Sequence, residues 1–293
     1  MHLPFKITNT LLVLSSILIL LFSSTCQKLE PQRTPQDKTK AIELHAFPGL
    51  PQLQKEADQQ VANYVVELSE DSKGHLWFGS VEKGVGYFDG KTLRYFSVAD
   101  GLVDNTVASI EEDREGHLWF GTHHGASRYD GKEFQSYTET EGLHGMGGQI
   151  LQDKNGTIWA GTNHGLFRFD GQQFLEFELP KPLLQDLSYK WELGKIWDIM
   201  EDSKGQLWFA RDGYGACRFD GQSFKHFTKA NGLCSNNVSS IVEDAQGNIW
   251  FGTLSSDFPQ YINEGGVSRF DGQQMDVFPT MAGLHNNDIY LPN

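Results

Sequence analysis

One phrase returns five times along these 293 residues. An acidic residue and a turn are followed by Gly-x-(Leu/Ile)-Trp-(Phe/Ala)-(Gly/Ala), then by an aromatic residue and Asp-Gly. The tryptophans are Trp77, Trp119, Trp159, Trp208 and Trp250, spaced by 42, 40, 49 and 42 residues. The Asp-Gly pairs begin at Asp89, Asp130, Asp170, Asp220 and Asp271. Seven residues after each Asp stands an aromatic: Phe96, Tyr137, Phe177, Phe227 and Phe278. A period near forty with several short strands per unit predicts an all-β chain, a β-propeller of four-stranded antiparallel blades with one repeat per blade.

The second repeat shows how a blade is written. Residues 106–112 form a short apolar inner strand, and Asp113-Arg-Glu-Gly116 forms a turn in which Asp bonds its own backbone and Gly takes positive φ. Residues 117–121 are the second strand and 126–129 the third. Asp130-Gly131 is a two-residue hairpin turn, and 132–138 is the outer strand. No stretch has helical periodicity over a useful length, which excludes tetratricopeptide and ankyrin arrays, and leucine-rich repeats are too short a unit.

The segment EDREGHLWFGTHHGASRYDGKEFQSYTETEGL resembles the two-component regulator propeller repeat, whose units read roughly E-D-x-x-G-x-L-W-F-G-T-x-x-G-L-x-R-(F/Y)-D-G-x-x-F and end in Gly-Leu. The resemblance covers residues 61–284. It implies either a periplasmic sensor of a hybrid histidine kinase or a stand-alone secreted or lipid-anchored protein. No later transmembrane helix or kinase motif precedes Asn293, so the stand-alone form is expected.

The N-terminus carries the compartment signal. Lys6 precedes an apolar run, residues 11–22, interrupted only by Ser15 and Ser16, which suits a signal-peptide core and is short for a membrane span. Ser23-Ser-Thr-Cys26 then resembles a bacterial lipobox in which Cys26 is lipidated, although Ser23 stands where leucine is most often found. The alternatives are an ordinary cleaved signal peptide and a membrane anchor. The expected layout is a lipoprotein signal peptide over 1–26, a polar tether over 27–40, and a propeller over 41–293. Its repeats run about 61–102, 103–143, 144–192, 193–233 and 234–284, with a partial sixth over 285–293. Localisation at the bacterial cell envelope follows, with contact to the membrane through the lipid alone. The formal charge of −14 repels phosphate backbones, so nucleic acid is not an expected partner.

Cys217 and Cys234 fall at different levels of a blade and are expected to be free, buried thiols; their spacing is not that of a metal site. The repeated residues are expected to be structural. The tryptophans pack between blades, and the aspartates, including the Asp71, Asp113, Asp153, Asp202 and Asp244 series, make turns. No cofactor or metal is expected.

Function is sought where the repeats disagree. The spacing from Trp159 to Trp208 is long because of an insertion between Leu179 and Lys195, joining blade three to blade four. In repeat five, Trp250 to Asp271 is 21 residues against 11 or 12 elsewhere, through an insertion between Leu254 and Gly265. Loops from an outer strand to the next inner strand share a face with loops between second and third strands, so the two insertions are expected over one channel mouth. The candidate ligand-binding residues there are Tyr189, Trp191, Trp197, Arg211, Tyr214, His123, His124 and His164. Trp197 stands in a column otherwise filled by Val66, Ala108, Gly148 and Ser239. Rings beside amides and charges suit a glycan or another small polar ligand.

The expected function is therefore a non-catalytic binding or sensory propeller, feeding a two-component system through an envelope protein or sensor kinase. Two alternatives stand: a propeller lyase or hydrolase of the streptogramin-lyase type, with His123, His124 or His164 as base, and a protein–protein scaffold. No nucleophile elbow or HExxH motif accompanies those histidines. At the ends, residues 42–50 resemble an outer strand and 285–291 an inner one. Either they form an incomplete closing blade of a shortened, larger propeller, which is the preferred reading, or five blades close alone.

Overall fold

The structure, a computed structural model, describes residues 64–145, 147–184, 194–254 and 265–278. The signal peptide, Cys26, the tether, the 42–50 and 285–291 strands, Tyr189 and Trp191 lie outside the described residues, as does most of the insertion in repeat five.

Five four-stranded antiparallel sheets follow one another along the chain, each in simple up-and-down order. Their inner strands are Val65–Glu70, Val107–Glu112, Gly147–Gln152, Ile196–Glu201 and Val238–Glu243. In blade two the remaining strands are Leu118–Thr122, Gly125–Tyr129 and Phe134–Tyr137, close to the expected spans. The inner strands pack in series, each against that of the next blade. Together they make the all-β propeller expected from the period. Four of them carry a bulge at Val66, Ala108, Trp197 and Ser239, and the strand of blade three is irregular near Gly148. A bulge adds local twist, which the inner edge of a blade needs.

Each blade interface is an apolar wedge closed by one tryptophan. Trp77 reaches Phe120 and Tyr129 of blade two, Trp119 reaches Phe169 and Phe174 of blade three, Trp159 reaches Phe209, and Trp208 reaches Phe251 and Phe270. Behind each ring, the indole N–H donates to a carboxylate: Trp77 to Asp71, Trp119 to Asp113, Trp159 to Asp153, Trp208 to Asp202 and Trp250 to Asp244, at 2.8–3.0 Å. The same carboxylates accept backbone N–H groups of their own turns, such as those of Glu115 and His117 on Asp113. The repeated Asp and Trp are thus one unit, joining turn to wedge. A second device crosses each interface. The first turn residue of a blade donates its N–H to the last side chain of the next inner strand: Ser72 to Glu112, Arg114 to Gln152, Lys154 to Glu201 and Ser203 to Glu243.

The Gly-Leu that ends a repeat also has a cause. Gly101, Gly142 and Gly232 sit at φ of +106°, +84° and +103°, closing a short turn that sends Leu102, Leu143 and Leu233 into the core. A Cβ on Gly142 would lie 2.2 Å from the Phe174 carbonyl oxygen, whereas one on Gly131, at φ +96°, would meet nothing within 4 Å. Gly142→Ala should therefore cost about 2–4 kcal/mol and Gly131→Ala about 1 kcal/mol, from backbone conformation alone. Chemical denaturation of the two variants checks this, and equal losses would refute the clash.

Cys217 and Cys234 are both buried and unbridged. Burial pushes the Cys217 thiol up to about 11, so it stays protonated. No helix of the described residues is long and apolar enough to cross a membrane.

Candidate functional site

The hairpins between second and third strands touch the loops that enter their own blade or the next. Gly84 N donates to Asn105 O at 2.7 Å, His123 N to Thr106 O at 3.1 Å, Gly215 N to Asn236 O at 2.7 Å, and Leu254 N to Asn237 O at 2.8 Å. These two loop classes share one face, as the up-and-down topology requires.

In four blades the second strand ends on a hydroxyl that closes its hairpin. Ser80, Thr122, Thr162 and Thr253 donate to the carbonyls of Gly84, Gly125, Gly165 and Gly266 at 2.8, 2.8, 3.3 and 3.0 Å. Blade four has Arg211 in that place. Arg211 is only 3% exposed. Its Nη1 donates to Pro180 O at 2.8 Å, in the described part of the insertion between blades three and four. Its guanidinium carbon lies 4.7 Å from the Tyr214 ring centroid, and its Nε has no hydrogen-bond partner among the described residues. Burial pulls its pKa down, and the other ionisable groups that bear on it are Cys217 and Tyr214. The hairpin is braced from both sides: Gly194 N bonds Asp212 O, Asp212 N bonds Lys195 O, and Gly213 N bonds the Asn237 side chain.

Around this corner lies a pocket of about 240 Å³ whose walls include His164, Glu178, Lys181, Ile196, Arg211 and Tyr214. Sites for drug-sized molecules run ~300–1,000 Å³, so the space bounded here suits one sugar ring or a small acid. Of the expected site residues, Arg211, Tyr214 and His164 come together. Trp197 does not join them. It is the bulged residue of its strand, it packs against the apolar wedge shared by blades four and five, and Lys195 Nζ lies 3.5 Å from its ring centroid.

His123 and His124 stand elsewhere, on blade two. With Asp104 they place three ligand-type atoms within 4.8 Å of one another. His124 Nδ1 lies 2.5 Å from Asp104 Oδ2, and Asp104 Oδ1 accepts the N–H of Thr106. That corner is complete as a hydrogen-bonded turn.

Two carboxyl groups escaped the sequence reading. Burial raises Glu67 to about 7, with Asp198 and Glu111 adding like charge. Burial raises Glu111 to about 7 as well, with Asp113 and Glu112 contributing. Both sit on inner strands, at positions where side chains reach the next blade: Ser109 Oγ accepts Ile150 N, Glu111 accepts Gln152 N, and Asp198 accepts Ile241 N. The available signal was an acid inside a strand, at the level of Ser109 and Gln149 for Glu67 and of Leu151 and Val242 for Glu111.

The chain matches the two component regulator propeller family over residues 101–124, 147–164 and 232–255. No curated protein matches it. Among solved structures, it resembles the extracellular domain of the hybrid two component system BT3049 from B. thetaiotaomicron. The identity is 24% with a TM-score of 0.59, over 77% of this chain and 29% of that one. It also resembles a catalytically inactive virginiamycin B lyase from Staphylococcus aureus, solved with quinupristin. There the identity is 16% and the TM-score 0.57, over 76% of this chain and 72% of the lyase. A streptogramin B lyase is 14% identical with a TM-score of 0.55, covering 75% and 70% of the two chains. At these identities the likeness is one of fold. This chain spans less than a third of the BT3049 domain.

Proposed function

We propose that this chain, which matches the two component regulator propeller family over residues 101–124, 147–164 and 232–255, is a non-catalytic, ligand-binding sensory propeller at the bacterial cell envelope, held there by a lipid on Cys26. The ligand is a small carbohydrate, and the readout passes to a two-component system through an envelope partner. One observation carries this reading. The described part of the insertion between blades three and four meets the altered hairpin of blade four around a pocket, and that hairpin is the one whose closing hydroxyl is replaced by a buried arginine. A rigid scaffold with one irregular corner is how propellers and barrels acquire binding sites. The extracellular placement of the similar BT3049 domain agrees with the apolar leader of residues 11–22. The lyase alternative has less support, because the likeness to the two lyases is one of fold and the expected bases divide between two corners.

Screening the full-length protein on a glycan array should identify a bound saccharide. Tyr214→Ala should then weaken its binding by about 1–3 kcal/mol, the usual effect of losing one anchoring aromatic. Calorimetry gives the affinity and thermal melting shows whether the variant stays folded. A saccharide bound equally well by the variant moves the site elsewhere. An array with no bound saccharide favours the protein–protein scaffold.

A further inference from the structure

We infer that this pocket holds its ligand through an anionic group, a carboxylate carried on a sugar ring, seated against the free edge of Arg211. This deepens the carbohydrate-binding reading above and rests on it.

The argument begins with the cost of a buried cation. A guanidinium stays protonated at physiological pH and presents five N–H donors. Taken out of water it must be paired or well hydrogen-bonded, or the fold loses several kcal/mol. Arg211 is 97% buried by its residual exposure of 3%. Among the described residues it has one hydrogen bond, to the neutral carbonyl of Pro180, and one ring face, Tyr214. Its Nε is buried without a partner. Glu176 and Glu178 line the same pocket, yet neither forms an ion pair with it. Arg128 and Arg269 are only half-buried and share the unpartnered Nε, but each has a carboxylate beside it, Asp113 at 3.7 Å and Asp276, and half-buried Arg218 lies over the Trp208 ring.

The position also had a cheaper occupant. Four of five repeats place Ser or Thr here, and the hydroxyl closes the hairpin at no electrostatic cost. Blade four forgoes that bond and keeps a charge instead. The planar fork of arginine matches a carboxylate, which can take two parallel N–H bonds. Lys181 also lines the pocket and adds a second positive group, beside His164 and the carboxylates of Glu176 and Glu178. The pocket volume of about 240 Å³ leaves room for one ring beyond the carboxylate. An acidic sugar, of the uronate type, fits this chemistry. The overall charge of −14 does not favour anions, so the attraction is local and a neutral ring alone gains little from it.

The test uses matched pairs on the full-length protein. D-glucuronate and D-galacturonate are titrated by calorimetry beside D-glucose and D-galactose, with inorganic sulfate as a bare anion. At least one uronate should bind ten-fold or more tightly than its neutral counterpart and than sulfate. Arg211→Thr, which restores the residue found in blades two, three and five, should abolish that preference and melt no lower than the parent. Arg211→Lys should keep the fold and retain part of the preference, because it keeps the charge and loses the fork. A neutral sugar bound as tightly as its uronate, with Arg211→Thr unchanged, overturns the anionic inference and leaves the pocket standing. Sulfate bound as well as the uronates overturns the assignment to a sugar acid. No binding of either uronate overturns the inference, and if glycan-array hits are also unaffected by Tyr214→Ala, the pocket reading falls with it.

Discussion

Trp119→Ala should lower the unfolding free energy by about 3–5 kcal/mol, the range for deleting a fully buried aromatic side chain. Trp119 is 1% exposed and lies between two blades. It stacks on Tyr137 of its own blade at 5.3 Å, meets Phe169 and Phe174 of the next at 5.2 and 6.2 Å, and donates its N–H to Asp113 at 2.9 Å. Truncation opens a cavity in the wedge and leaves the Asp113 carboxylate, 6% exposed, without its indole donor. Trp119→Phe separates the two effects, because it keeps most of the volume and should cost about 1–3 kcal/mol. Trp250→Ala should cost less than Trp119→Ala. Trp250 is only half-buried, and among the described residues its aromatic contact is Phe278 of its own blade, itself 37% exposed. Chemical denaturation of the three variants gives the comparison. Equal losses at Trp119 and Trp250 would mean that the wedge contacts contribute nothing beyond the blade itself.

Acidification from pH 8 to pH 5 should stabilise the protein. Burial, first of all, lifts Glu67 and Glu111 from the ordinary 4.5 to about 7. A carboxyl whose pKa is higher folded than unfolded binds its proton more tightly in the folded state. Its contribution is fully present below 4.5 and is lost as pH rises through 7. Each group should contribute about 1–3 kcal/mol across that window. The hairpin aspartates act in the opposite sense. Backbone N–H groups of Thr92 and Lys91 hold Asp89 at about 2, and Ser223 with Gln222 does the same for Asp220. Their contribution is present above the unfolded value and fades as pH falls below it. Maximum stability should therefore lie near pH 5. The Glu67→Gln/Glu111→Gln double variant should melt higher than the parent at pH 8 and like the parent at pH 5, since an amide cannot ionise and still accepts the Gln152 N–H. A melting temperature that rises steadily from pH 5 to pH 8 in the parent would show that both groups are ionised without cost.

The repeat made the blades legible from the chain alone. Strand alternation, the Asp-Gly hairpins and the Gly-Leu exits are short-range features, decided within a few residues by φ preference and by which side chains are apolar. That is why the expected strand 106–112 and the observed Val107–Glu112 nearly coincide. The topology of an up-and-down sheet likewise follows from strand order, so the shared face of the two loop classes could be deduced before any coordinates. The long spacing of the 179–195 insertion marked the corner where the pocket lies. The tertiary structure decided what those departures mean. Asp113 looks like a turn residue along the chain, and only packing shows its carboxylate holding an indole. Trp197 looks like a channel cap, yet its half-buried ring packs against the apolar wedge of blades four and five. Arg211 looks like one more exposed loop cation, and only the approach of Pro180 and Tyr214 shows it buried with a donor unused. Glu67 and Glu111 look solvated for the same reason. Local sequence determines backbone conformation and polarity, but the cost of a charge depends on how much water its neighbours exclude. Those neighbours come from other blades, some forty residues away along the chain.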